Sequence, residues 1–248
     1  TKEQVAKELP PKNEITLYVD MNPKQRTIYE ITRDTYRGKI MDSFQNSTME
    51  KSSFKVLEGL LRLRQICCHP KLVDPNYTED SGKFQAVLEC IEGVVSEGHR
   101  VLLFSQFVKS LELLRTKISE IGIATEILTG ATRDRQAVVD RFQKTTGAPV
   151  FLISLKAGGT GLNLTSADYV IHLDPWWNPS AENQASDRAY RIGQTRTVFV
   201  YKMITRDSIE ERIQQLQDRK KALMQHIIHT ENTFFKQLSK DDILGLFS

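Results

Sequence analysis

Short apolar runs separated by amphipathic stretches dominate the chain from about residue 100 onward: RVLLF (100–104), TEIL (125–128), VFLISL (150–155), YVIHLD (169–174) and TVFVYKMI (197–204). Runs of this length with no polar alternation predict strands buried on both faces, as in the middle of a parallel sheet. The stretches between them, 83–97, 106–120, 132–144 and 180–191, have the length and periodicity of crossover helices. The pattern upstream differs. LPPKNEITLYVDM (9–21) carries two prolines and then alternates at Ile15, Leu17 and Val19, which predicts an extended lead-in. Asn22 as N-cap and Pro23 at the first helical position start a helix with Ile28, Ile31, Tyr36 and Ile40 at helical spacing. A second helix, FKVLEGLLRLRQICC, carries Leu57, Leu60, Leu61 and Ile66 and stops at the prolines of HPKLVDPN. Beyond the last strand, Asp207 caps a long helix over 207–228 with one stripe of Ile209, Ile213, Leu216, Leu223 and Ile227. The predicted fold is α/β: a parallel sheet sandwiched by helices, with a helical part before it and a long helix after it.

Composition narrows the class. A chain of 248 residues, 40% hydrophobic and 26% charged, reads as a soluble globular protein of one or two domains. No run approaches the ~20 apolar residues of a membrane span, and the first thirty residues lack the order of a signal peptide, so a cytosolic site is expected. Three cysteines cannot all pair, and reduced thiols are the default. CCHP (67–70) offers consecutive metal-ligand types with no second Cys/His pair at zinc-finger spacing, so no metal site is assigned. The net charge of +3, from 34 basic and 31 acidic residues, does not by itself identify a polyanionic partner.

Two segments carry chemistry. In AGGTGLNL, Gly158, Gly159 and Gly161 follow a predicted buried strand, where backbone N–H groups could approach a phosphate unobstructed. An isolated glycine-rich loop serves equally well as a tight turn. Arg188 and Arg191 lie three apart on a predicted helix with Gln184 one turn earlier, so both guanidiniums could converge on one anion or simply form a solvated basic face. Loop and helix flank the carboxyl ends of predicted parallel strands, where ligands of doubly wound sheets collect, and this favours a phosphate site. Neither G-x-x-x-x-G-K-[ST] nor a D-E-x-H-like pair occurs, and SGKF (81–84) is no substitute.

AGGTGLNLTSADYVIHLDPWWNPSAENQASDRAYRIGQ resembles the fifth and sixth motifs of the Swi/Snf-type ATPases, a branch of the superfamily-two DNA translocases. RVLLFSQF resembles their fourth motif, LTGAT the segment after it, SGK the start of the second lobe, and LRQICCHPKLV the helical element before that. The resemblance runs from about LPPKNE to RKKAL in family order. It implies the second of two RecA-like lobes, with ATP in the cleft and the magnesium ligands on a first lobe expected upstream. The implied layout is a linker at 1–22, a helical subdomain at 23–80, the RecA-like lobe at 81–206 and a C-terminal helix and tail at 207–248. By the same resemblance Arg188 and Arg191 become arginine fingers, Gln184 orients nearby groups, and Gly159, Thr160 and Gly161 line the nucleotide. Double-stranded DNA is the implied polymer, contacted through its phosphates by Ser105, Gln106, Thr129, Gly130, Lys156 and Trp177. Trp177 is taken as the outward ring of the pair with Trp176. The short ending suggests a stand-alone microbial member, nucleoid-associated there and nuclear in a eukaryote. A strand-separating helicase lobe and a catalytically silent binding module are the rival readings.

Overall fold

A computed structural model describes residues 9–46, 49–144, 146–158, 161–177, 179–224 and 238–248. Lys12–Val19 forms strand β1, followed by helices α1 (Pro23–Asn46) and α2 (Met49–Cys68). Helix α3 (Gly82–Ser96) opens the alternation β2 (Val101–Ser105), α4 (Val108–Glu120), β3 (Thr125–Leu128), α5 (Arg135–Gln143) and β4 (Val150–Ser154). A single helical turn α6 (Leu155–Gly158), β5 (Tyr169–His172), α7 (Pro179–Ser186) and β6 (Val198–Thr205) continue it. Helices α8 (Ile209–Met224) and α9 (Lys240–Leu246) follow. The sheet order is β1-β6-β5-β2-β4-β3. The pairs β2–β4, β2–β5, β3–β4 and β5–β6 are all parallel. Every residue of β2 and β4 is buried, which explains why these runs show no alternation.

The lead-in segment is itself a strand. β1 runs parallel along β6, with Val198 N–H donating to Pro11 O at 3.0 Å and Arg206 N–H to Val19 O at 2.9 Å. Ile15 and Tyr18 are both exposed on it, as an edge strand allows.

The chain divides into two compact units, one built from residues up to 17 with 84–203 and the other from 18–83 with 204–248. The first is the parallel sheet with its crossover helices. Its core joins Phe104, Leu128, Phe142, Phe151, Ile153 and Val170 with Leu164, Ala185 and Ala189 from the segments after β4 and β5. Among the described residues no helix is long and apolar enough to cross a membrane.

The second unit brings together helical segments that the sequence presents as separate. Asn22 caps α1 as expected, its Oδ1 accepting from Gln25 N–H at 2.7 Å. Tyr29, Tyr36 and Ile40 are buried along α1, whereas Ile31 is exposed and Tyr29 takes the inward position. The Tyr29 hydroxyl accepts from Ile209 N–H at 2.6 Å at the start of α8. Lys83 and Glu210 form a fully enclosed pair at 2.5 Å, and the same carboxylate accepts from Thr205 N–H at 2.9 Å. Burial alone would neutralise Lys83, but Glu210 reverses that and holds the amine above its ordinary range. Gly59 lies where a β-carbon would come within 2.9 Å of both Phe247 and Tyr36, so a side chain there would displace α9. His69 Nδ1 accepts from Lys71 N–H at 3.1 Å and caps the turn at Pro70–Leu72, while Cys67 and Cys68 are buried. This gives CCHP a structural role.

Candidate nucleotide and DNA site

The parallel register brings the carboxyl ends of the strands to one edge: Ser105 lies level with Ser154, Leu128 with Ile153 and Phe104 with His172. The segments carrying 105–106, 129–130, 155–158 and 174–177 therefore leave the sheet along the same side. This is the edge on which such sheets bind ligands.

A cleft of about 120 Å³ opens here, lined by Leu155, Lys156, Trp176, Ala181, Gln184, Ala185 and Arg188. Ala181, Gln184, Ala185 and Arg188 share one face at helical spacing, while the opposite face of α7 points inward through Glu182 and Ser186. Glu182 accepts from Trp176 N–H at 2.7 Å and pairs with Lys202 at 3.3 Å. Burial pushes the Glu182 carboxyl up, against the pull of Lys202 and the Trp176 N–H. Ser186 donates back to Glu182 O at 3.1 Å and meets His172 Nε2 at 2.9 Å. The inward face thus anchors α7 and leaves the other face free to form the cleft wall.

Lys156 and Gln184 are exposed in this wall. Arg188 is half-buried, and its Nε is buried with no hydrogen-bond partner among the described residues. A buried guanidinium N–H aimed at no protein acceptor suits an anion that arrives from outside.

Helix α7 ends at Ser186, five residues short of the predicted 191. The winding tightens there, with Arg188 N–H donating to Ala185 O at 3.1 Å and Ala189 N–H to Ser186 O at 3.1 Å. The next carbonyls are taken by other segments: Arg188 O accepts from Leu164 N–H at 3.0 Å and Ala189 O from the Gln194 side chain at 3.1 Å. Arg191 consequently leaves the helical face and stands exposed on the following turn. The expectation that both arginines project from one helix is corrected: Arg188 lines the cleft with Gln184 and Lys156, and Arg191 does not.

The expected DNA contacts divide. Ser105 is 0% exposed, as the last residue of a central strand must be, and its hydroxyl donates to Asp174. Gln106 is half-buried, and its side-chain amide donates to the same carboxylate at 2.5 Å. These two residues hold the loop after β5. Thr129 is half-buried, its hydroxyl accepting from Ala131 N–H at 3.3 Å, and Gly130 is exposed. Trp177 is 3% exposed, so the tryptophan pair is oriented opposite to expectation, with Trp176 on the cleft and Trp177 inside. Gly159 and Thr160 lie outside the described residues; Gly161, next to them, has φ +20°.

Three residues of the site are not legible as such in the sequence: Glu182, Trp176 and Gln194. The only local signal is Gly193, whose φ of +103° permits the turn that presents Gln194.

His172 makes the site's framework sensitive to acid. Burial, reinforced by Lys202, pushes its imidazole down from 6.5 to about 3. The unfolded chain therefore takes up this proton first, and the stability carried by the neutral ring is intact above about 6.5 and drains away as pH falls toward 3. From about pH 7 to about pH 5.5 the loss is on the order of 1 kcal/mol. Urea unfolding of the chain and of His172→Gln should show a shallower pH dependence for the variant by that amount. Parallel curves would contradict a neutral buried His172.

Comparison with known proteins agrees with this fold. The helicase conserved C-terminal domain family matches residues 82–193, and the SNF2-related domain family matches residues 1–72. The Sulfolobus solfataricus SWI2/SNF2 ATPase C-terminal domain superposes with a TM-score of 0.77 at 30% identity, over 95% of this chain and 97% of that one. The SWI2/SNF2 ATPase core from the same organism, solved in complex with dsDNA, gives a TM-score of 0.82 at 32% identity, over 98% of this chain and 52% of that one. An uncharacterized ATP-dependent helicase of Mycoplasma pneumoniae is 39% identical over 100% of this chain and 24% of its own length. The fold is that of a RecA-like helicase lobe. The chain belongs to the SWI2/SNF2 family of ATPases. It spans about a quarter of the length of the curated relatives it matches.

Proposed function

We propose that the chain is the second lobe of a two-lobe, ATP-driven translocase on double-stranded DNA, contributing arginine fingers to a nucleotide whose other ligands lie on a first lobe of the same polypeptide. One observation carries this reading: Lys156, Gln184 and Arg188 line one cleft at the carboxyl edge of the sheet, and Arg188 has a buried donor with no acceptor among the described residues. The Gln184 amide and the Arg188 guanidinium are donors that fit the phosphate end of ATP. The magnesium ion is proposed to be held on the first lobe, as the family resemblance implies. Phosphoryl transfer gains mainly from charge placed at the transferring oxygens, which is the contribution arginines can make from a second lobe. DNA is proposed to lie along the same edge, with Thr129, Gly130 and Lys156 as backbone contacts; a motor indifferent to sequence needs contacts of that kind. Ser105, Gln106 and Trp177 are not retained as contacts.

The test is DNA-stimulated ATPase of this chain alone beside the complete protein. The complete protein should turn over ATP on DNA and the chain alone should not, because half the phosphate ligands and the Walker A lysine are absent from it. Turnover by the chain alone at the complete protein's rate, with contaminating ATPase excluded, would overturn the split-site reading.

A further inference from the structure

We propose that Gln194 is the positioning residue of this site, holding the backbone of the Arg188–Arg191 turn against the loop that follows the glycine-rich segment. The proposal rests on the reading of Arg188 as a residue that meets the nucleotide. Gln194 is 6% exposed, and its amide is saturated. The two N–H groups of Nε2 donate to Ala167 O at 2.8 Å, Ala189 O at 3.1 Å and Thr165 O at 3.2 Å, one of them shared between two carbonyls. Oε1 accepts from Arg196 N–H at 2.9 Å and Thr195 N–H at 3.0 Å. Three carbonyls at one end and two N–H groups at the other fix the orientation of the amide without ambiguity.

Those five bonds join three segments. Thr165 and Ala167 belong to the loop that leads from the glycine-rich segment into β5, Ala189 sits next to Arg188, and Thr195 and Arg196 lead into β6. Leu164 N–H donates to Arg188 O at 3.0 Å, a parallel tie between the same loop and the same turn. Gln194 N–H donates to Arg191 O at 2.9 Å and closes the turn through Ile192 and Gly193, with Gly193 in the left-handed region. No other side chain of similar length offers two donors and two acceptor lone pairs in one plane, so glutamine is specified rather than merely tolerated. An arginine whose backbone shifts by even about 1 Å loses its placement on a phosphate, at a cost on the order of a hundred-fold in rate.

The experiment compares Gln194→Glu and Gln194→Met in the complete protein, alone and combined with Arg188→Lys, by single-turnover ATP hydrolysis on DNA. Each Gln194 variant should lower kcat on the order of a hundred-fold while KM for ATP and affinity for DNA stay within about three-fold. In the Arg188→Lys background the Gln194 change should cost less than about three-fold more, because a residue acting through the arginine has nothing left to position. Multiplication of the two effects would show that Gln194 acts independently of Arg188. Failure of both Gln194 variants to fold would make it a purely structural residue. Either result overturns the proposal alone, whereas full activity of Arg188→Lys itself would bring down the arginine assignment and this inference together.

Discussion

Replacing Arg188 or Arg191 by lysine in the complete protein should nearly abolish DNA-stimulated ATPase while leaving the fold and DNA binding in place. Lysine keeps the charge and loses the planar fork of donors, including the Nε–H that in Arg188 is buried and unclaimed among the described residues. An arginine finger contributes about 10³ to 10⁵ in rate, or roughly 4 to 7 kcal/mol of barrier. Folding should survive, since Arg188 is only half-buried and Arg191 is exposed. The salt dependence of DNA affinity should also be unchanged, because side chains that meet ATP release no counterions from the duplex. Arg188→Lys should be the more damaging of the two. Arg188 already lies in the cleft wall, whereas Arg191 stands on a turn outside it and would have to reach the nucleotide from there. ATPase within a few-fold of wild type accompanied by weaker DNA binding would reassign the segment as a DNA contact.

What the sequence disclosed about this site follows from which interactions are local. The strands were legible because burial on both faces leaves unbroken apolar runs such as VFLIS, and the start of α1 because Asn22 and Pro23 are short-range signals. Gln184 and Arg188 were legible as cleft partners because four residues along a helix return to the same face. The end of α7 was not. Nothing within QASDRAYR marks the stop; the winding tightens at Arg188 and Ala189, and the turn beyond is held by Leu164 and Gln194 through the carbonyls of Arg188 and Ala189. Placing Arg191 therefore required the tertiary structure. Ser105 is a related case: the resemblance implies a DNA contact, yet Asp174, nearly seventy residues later, takes its hydroxyl into the interior.

The tryptophan pair yields the largest expected effect on stability. Trp177→Ala should destabilise the lobe by about 3 to 5 kcal/mol, the cost of emptying a large aromatic site in a packed interior. Adjacent residues on an extended segment point to opposite sides, so only one of the two rings can be inside. The resemblance pointed to Trp177 as the outer ring, but the local bonding orients the segment the other way. Trp176 N–H is held by Glu182 at 2.7 Å, Trp176 forms part of the cleft wall, and Trp177 is 3% exposed. Trp176→Ala should accordingly cost less stability and more activity, since it removes a wall of the cleft beside Arg188 rather than a piece of the core. Urea unfolding together with ATPase on DNA separates the two cases. If Trp177→Ala unfolds within about 1 kcal/mol of the parent and loses only translocation, the ring works at the DNA surface, and the burial described above does not hold in the working motor.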